Sequence, residues 1–137
     1  LVAYVASLAP GSPAPADAGG AALFEATGCA SCHRPTLPGK EGQPVTLYSD
    51  LLLHDLGAGL AGIPEVQSQT AAEWRTAPLV GLQKRLAAGS TLLHDGRARS
   101  VEEAVLWHGG QAQDVRDAYG RLTAAERQAL QDFVLSR

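Results

Sequence analysis

The sequence predicts an all-α domain whose helices are joined by long irregular loops. Ser100 with Glu103, and Thr123 with Glu126, match the S/T-x-x-E pattern that caps the start of a helix. The chain also holds 15 glycines and 8 prolines among 137 residues, while only 5% of residues are aromatic. The core must therefore be built largely from Leu, Ala and Val, and a large bound group would help such a loop-rich chain bury enough surface.

The first predicted helix follows a linker of proline, alanine and glycine, SPAPADAGG, at residues 12–20. Pro15 prevents a helix from running through it, and Asp17 can cap a helix that starts directly afterwards. This helix would run as far as Gly28, so the residues CASCH that follow lie at its C-terminal end.

The opening residues repeat the pattern of the closing ones. LVAYVAS at 1–7 has the Leu/aromatic/Val spacing of QALQDFVLSR at 128–137. We therefore predict that residues 1–19 are the end of a preceding domain plus a linker, and that residues 20–137 form one domain. Because residue 1 is Leu rather than Met, we also expect a processed or excised chain.

The middle of the chain gives less regular patterns. Prolines and glycines interrupt residues 34–49, which therefore predict a loop. DLLLHDLGAGLAGIP, at 50–64, predicts a short helical turn before its glycines. Residues 70–90 predict one or two helical turns that are interrupted at Pro78 and end at Gly89.

Two further helices are predicted in the last third. The helix after Ser100 has an apolar face that includes His108, and the glycine pair at 109–110 stops it. The helix after Thr123 places Leu130 and other apolar residues on one face and closes the domain.

Charge and hydropathy exclude two classes of partner. The net charge of −3 provides no basic stripe, so we expect no nucleic-acid partner. The longest apolar run, at 1–9, falls far short of the roughly 20 residues that cross a bilayer, so we expect no membrane span in this chain.

Residues 29–33 spell CxxCH, the attachment motif of c-type haem. Two thiols at this spacing can add across the vinyl groups on one side of the porphyrin, and the adjacent imidazole then reaches the iron. The motif predicts one covalent haem c held by Cys29 and Cys32 with His33 as iron ligand, in a class I-like cytochrome c domain. We expect the other ring nitrogen of His33 to bond a backbone carbonyl of the loop at 34–38.

Two other interpretations of the cysteines remain open. A disulfide or redox pair would leave His33 unexplained, and a redox CxxC usually opens a helix, where the thiolate is stabilised. A Cys2His2 zinc site would need two more ligands from His54, His94 and His108, whose spacing is unconvincing.

The sixth iron ligand is also open from the residues alone. The chain contains no Met, which excludes the His/Met pair within this domain. The candidates are His54, His94, His108 or an open position. His108 is favoured because it lies on an apolar helical face just before a glycine pair.

Three segments resemble a known family: YSDLLLHDLG at 48–57, WRTAPLVGL at 74–82 and LLHDGRARSVEEAVLWHGG at 92–110. They resemble the C-terminal haem domain of the bacterial di-haem cytochrome c peroxidase superfamily, and above all its branch of di-haem thiol oxidoreductases. The likeness extends from Gly20 to the end of the chain. In that family the distal iron ligand is a Met or a Tyr at the place of His108, so the resemblance implies iron bound by His33 and His108.

The resemblance implies supporting roles as well. His94, Asp95 and Arg97 would lie beside the haem propionates, with Arg97 or Arg75 as the countercharge, although HDGR is equally well explained as a turn before the Ser100 cap. Trp74 and Trp107 could relay electrons, or could be ordinary core residues. His54 has a counterpart in the family, and we expect it to be structural.

The predicted function is outer-sphere electron transfer, with no catalytic residue in the chain. The expected partner is a redox protein or a second haem domain upstream, in a larger di-haem oxidoreductase of the bacterial periplasm or another exported location. The alternative is peroxidase, or thiol or protein oxidase, activity at an exchangeable haem site if His108 dissociates. Glu102 and Glu103 could then act as bases, but in the first turn of a helix they also complement its dipole.

Overall fold

The computed structural model describes residues 17–63 and 71–137. Five α-helices lie within these residues: α1 at Ala18–Ala26, α2 at Leu82–Ala87, α3 at Val101–Trp107, α4 at Gln113–Arg121 and α5 at Ala124–Leu135. No helix in this part of the chain is long and apolar enough to cross a lipid bilayer. The predictions for residues 1–16 lie outside the described residues, and the domain boundary at residue 20 stays a prediction.

The predicted helix starts are confirmed. The Asp17 carboxylate accepts the Gly20 N–H at 2.9 Å at the start of α1. Thr123 and Glu126 form a complete capping box at α5, in which each side chain bonds the backbone N–H of the other residue. Such a cap stabilises a helix by about 1 kcal/mol. Helix α4 has no side-chain cap and was not predicted.

The all-α prediction is wrong, and with it the class I-like cytochrome c fold. Two small antiparallel sheets are present: β1 at Thr36–Pro38 with β2 at Pro44–Thr46, and β3 at Leu53–Asp55 with β4 at Glu73–Arg75. The first sheet forms in the predicted loop, and β3 replaces the predicted helical turn. Each strand is three residues long, too short to show a period-2 pattern in the sequence.

The core lies where α1 packs against α5. Phe24 and Phe133 contribute rings whose centroids are 5.2 Å apart, and the Tyr48 ring lies 6.0 Å from each of them. A Cβ on Gly20 would lie 2.7 Å from the Phe133 Cβ, so only glycine permits this helix crossing. This buried aromatic cluster supports the loop from β2 to β3, which runs beside the CASCH residues.

Candidate functional site

The CASCH residues form a tight turn directly after α1. Gly28 adopts φ +92°, and Cys29–Ser31 then make one turn of 3-10 helix. The Thr27 hydroxyl lies 3.3 Å from the Cys29 sulfur. Burial raises the pKa of the Cys29 thiol despite this hydrogen bond. The two cysteines are not joined by a disulfide, and a raised pKa at Cys29 is the opposite of what activates a redox cysteine.

His33 is fixed by a backbone carbonyl, but not by one from the loop at 34–38. Its Nδ1 lies 3.0 Å from the carbonyl oxygen of Tyr48, so the predicted acceptor was wrong. Tyr48 has φ +52°, an unusual backbone conformation for a bulky residue, and its ring is held in the aromatic cluster. No local sequence pattern indicated this acceptor, which is 15 residues from His33.

His108 is fixed in the same way, by a carbonyl of the helix that precedes it. It follows the last residue of α3, and its Nδ1 lies 2.7 Å from the carbonyl oxygen of Ala104. Burial lowers the pKa of His108. Burial also lowers the pKa of His33, with a further contribution from repulsion by His108. Of the other histidines, His108 has the largest effect on the pKa of His33.

Both imidazoles are arranged as metal ligands are. A neutral imidazole whose Nδ1–H is bonded to a carbonyl presents the Nε2 lone pair, the form that binds a metal. Neither Nε2 has a hydrogen-bond partner among the described residues. The depressed pKa values keep both rings neutral and available. The chemistry of these two side chains thus suits a metal ion that binds imidazole nitrogen.

The segment after His108 is held by direct contact between two backbones. A Cβ on Gly57 would lie 2.8 Å from Gly110 N, and one on Gly109 would lie 2.9 Å from the Leu56 carbonyl oxygen. A Cβ on Gly110 would clash with the Asp55 carbonyl oxygen. Only glycines permit this approach, which explains why LHDLG and WHGG both carry them.

His54 lies between the two parts of the site. Its Nε2 is 2.8 Å from Asp50 Oδ2 and its Nδ1 is 3.1 Å from Gln111 Oε1. Within the described chain, Cys32, Asp50 and His54 are the one group of three metal-binding side chains with close ligand atoms. Cys29, His94 and His108 lie outside that group, so the Cys2His2 zinc site is not assembled there.

His94 packs on an aromatic ring. Its imidazole stacks on Trp74 with centroids 3.6 Å apart and an angle of 7° between the planes. The Trp74 indole N–H donates to the Leu60 carbonyl at 2.8 Å. The place of His94 beside a propionate stays a prediction.

The two candidate countercharges differ in their surroundings. Arg97 donates to Asp95 at 2.6 Å and to the Gly59 carbonyl at 2.6 Å, and its guanidinium lies 4.5 Å from the centre of the Trp107 ring. Arg75 is exposed on β4, opposite Leu53, and makes no ion pair with the described residues. Their roles at a propionate stay predictions.

Large apolar side chains remain exposed in the segments that adjoin both histidines. Leu51, Leu52 and Leu53 follow Asp50, and Leu106 and Trp107 directly precede His108; Leu52 is 59% exposed and Leu106 is 52% exposed. Exposed apolar side chains mark a binding site where they form one contiguous patch. A mostly apolar group such as a porphyrin would remove apolar surface of this kind from water.

The chain matches a known family along most of its length. The family described as "di-haem oxidoreductase, putative peroxidase" matches residues 12–137. A curated relative, hydrazine synthase subunit gamma of Kuenenia stuttgartiensis, is 26% identical over an alignment of 170 positions that covers 98% of this chain. The chain spans about half the length of that relative, 46% of it. None of the solved structures matches the chain.

Proposed function

The chain belongs to the di-haem oxidoreductase family, and on this basis we propose that it is an electron-transfer module with one covalent haem c whose iron is bound by His33 and His108. The pair of buried imidazoles carries this proposal, since each has its Nδ1 on a backbone carbonyl and its Nε2 unbonded among the described residues. Family membership alone supports a haem oxidoreductase and leaves the ligands open.

The residues of the chain have separate tasks in this proposal. Cys29 and Cys32 would each form a thioether to the porphyrin, and bound haem supplies a one-electron couple. The carbonyls of Tyr48 and Ala104 accept the Nδ1 protons, which fixes the direction of both imidazoles before and after electron transfer. Two neutral, strongly donating imidazoles favour ferric iron and a lower potential than a His/Met pair.

Peroxidase activity is the alternative that the description of the family favours. It requires His108 to leave the iron and a proton-transfer group to act nearby. Glu102 pairs with Arg127 at 3.4 Å, and the Glu103 carboxylate accepts the backbone N–H of Arg99 at 2.6 Å. Both carboxylates are occupied at the start of α3, so electron transfer is the better supported function.

A second haem domain or a separate redox protein is the proposed partner. The family is described as di-haem, whereas this chain has one CxxCH motif. We propose that the module exchanges electrons with a second haem carried by such a partner, in the bacterial periplasm or another exported location. Cell fractionation and co-purification with a second haem protein would test this arrangement.

The ligand set is tested on the purified haem protein. Mass spectrometry should show one haem added covalently, and the ferric spectrum should be low-spin. His108→Ala should turn the spectrum high-spin, because the sixth position then opens. His94→Ala is the matched control, since its ring stacks on Trp74, and it should leave the spin state unchanged. A high-spin resting protein that binds cyanide rapidly would contradict the bis-histidine site and support the peroxidase alternative.

A further inference from the structure

His54 joins two segments that are far apart in the sequence. It lies in β3, opposite Trp74 in β4, with its side chain 21% exposed. One ring nitrogen faces the Asp50 carboxylate at 2.8 Å, and the other faces the Gln111 side-chain oxygen at 3.1 Å. The rigid ring of His54 therefore connects Asp50 with Gln111, which lies in the turn that follows His108 in the sequence.

Asp50 is anchored to the proximal side of the site. Its backbone N–H donates to the Cys32 carbonyl at 2.8 Å, and its carboxylate also accepts the Leu52 N–H at 3.0 Å. The Asp50 side chain is only 5% exposed. A buried carboxylate with several donors is a fixed point, so a group bonded to it is fixed relative to Cys32 and His33.

Gln111 belongs to the distal side. It lies in the turn Gly110–Ala112, three residues after His108. The contacts of Gly57 with Gly110 press the backbones together there but have no directional bond. The bond from His54 to Gln111 is the one described side-chain hydrogen bond that ties this turn to β3.

The bridge persists whether or not His54 is charged. As an imidazolium it donates to both oxygens. As a neutral ring it keeps one donor for Asp50, and rotation of the Gln111 amide lets its NH₂ group donate to the other nitrogen. A flexible side chain could not hold both partners at a fixed separation, which explains why a histidine suits this position.

We propose that His54 is a positioning residue that holds the turn after His108 against the segment that carries Cys32 and His33, and so keeps the distal imidazole on the iron. This role rests on the proposed function, because it needs a six-coordinate haem. It predicts that loss of the bridge lets His108 dissociate more often, without any change in the ligands themselves.

The test uses the ferric haem protein and three variants: His54→Phe, Gln111→Ala and the double variant. Cyanide can bind only after His108 leaves, so its binding rate reports how often the sixth position opens. Each single variant should bind cyanide about fivefold faster than wild type, the change expected for loss of one hydrogen bond. The double variant should be no faster than either single one, because both remove the same bridge.

Gln113→Ala is the matched control. Its side chain bonds Asp117 within α4 and not β3, so cyanide binding should stay at the wild-type rate. Gln111 is exposed, so Gln111→Ala keeps the test usable even if His54→Phe folds poorly. Thermal unfolding of each variant separates a general loss of stability from local opening at the haem.

The outcomes distinguish the two proposals. Slow cyanide binding in wild type with unchanged rates in the bridge variants would overturn the role of His54 and leave the bis-histidine site intact. Additive effects in the double variant would also overturn it, because the two residues would then act independently. Fast binding in wild type would refute the bis-histidine site, and the role of His54 with it.

Discussion

The backbone carbonyl of Tyr48 holds the imidazole of His33, with 3.0 Å between the oxygen and Nδ1. The orientation of the carbonyl depends on Tyr48 keeping φ +52°, a conformation that costs an ordinary residue about 1–2 kcal/mol. Packing of its ring against Phe24 and Phe133, and a bond of 3.2 Å from Arg137 to its hydroxyl, offset this cost. One carbonyl thus connects the aromatic core to the proposed iron ligand.

Tyr48→Ala should lower the free energy of unfolding by about 3–5 kcal/mol, as loss of a buried aromatic ring does. It should also raise the reduction potential, because a looser carbonyl accepts less strongly from His33 and makes the imidazole a weaker donor. Denaturant unfolding and redox titration measure the two effects. Tyr48→Phe is the control: it keeps the ring and carbonyl, so the potential should not change. Equal reduction potentials in all three proteins would contradict the proposed effect of the Tyr48 carbonyl on His33.

Gly110→Ala should displace His108 and convert part of the ferric protein to high spin. The added Cβ meets the Asp55 carbonyl oxygen, so the turn after His108 must move away from β3. Gly42→Ala is the matched control, because Gly42 also has a positive φ, +77°, but its Cβ would meet nothing within 4 Å. Both substitutions strain the backbone by about 1 kcal/mol, and only Gly110→Ala should alter the spectrum.

Asp50 should make the folded protein sensitive to acid. Burial raises the pKa of this carboxyl, but hydrogen bonds from Leu52 N–H, His54 and Thr76 outweigh it and lower the pKa below its ordinary value. The carboxylate therefore stabilises the fold above its unfolded pKa of about 4, and this stability is lost as pH falls through the lower folded pKa. Between neutral pH and pH 2, the free energy of unfolding should fall less steeply with pH in Asp50→Asn than in wild type. Identical slopes would show that Asp50 does not contribute.

Arg97→Gln should raise the pKa of Asp95. The side-chain hydrogen bond from Arg97 is the largest cause of the lowered pKa of this carboxyl. Titration followed by carboxyl-carbon NMR on the ferrous haem protein measures the change. Arg99→Gln is the control, since the described bond of Arg99 is made by its backbone N–H. If the pKa stays low in Arg97→Gln, the Asp95 carboxylate is held by another group.

Local patterns predicted the helices that begin with a side-chain cap, because a cap such as Thr123 with Glu126 is complete within four residues. They missed α4, which has no such cap. They did not predict the sheets: β3 pairs with β4 across about twenty residues, and neither strand is long enough to alternate. The sequence alone identified His33, through the CxxCH motif, and favoured His108 as a second candidate ligand. Tyr48 as acceptor and the bridge at His54 were not, because both depend on contacts between distant segments.

The exposed leucines at 51–53 also bear on how the protein matures. If Cys29 and Cys32 take up the proposed haem, these side chains face water until it is attached, next to a turn whose two thiols are then still free. Apolar surface of this kind promotes self-association and recognition by chaperones and proteases. A ligand that covers it stabilises the folded state in proportion to its affinity. The yield of folded protein in a cell should therefore depend on the supply of haem and on the speed of its attachment.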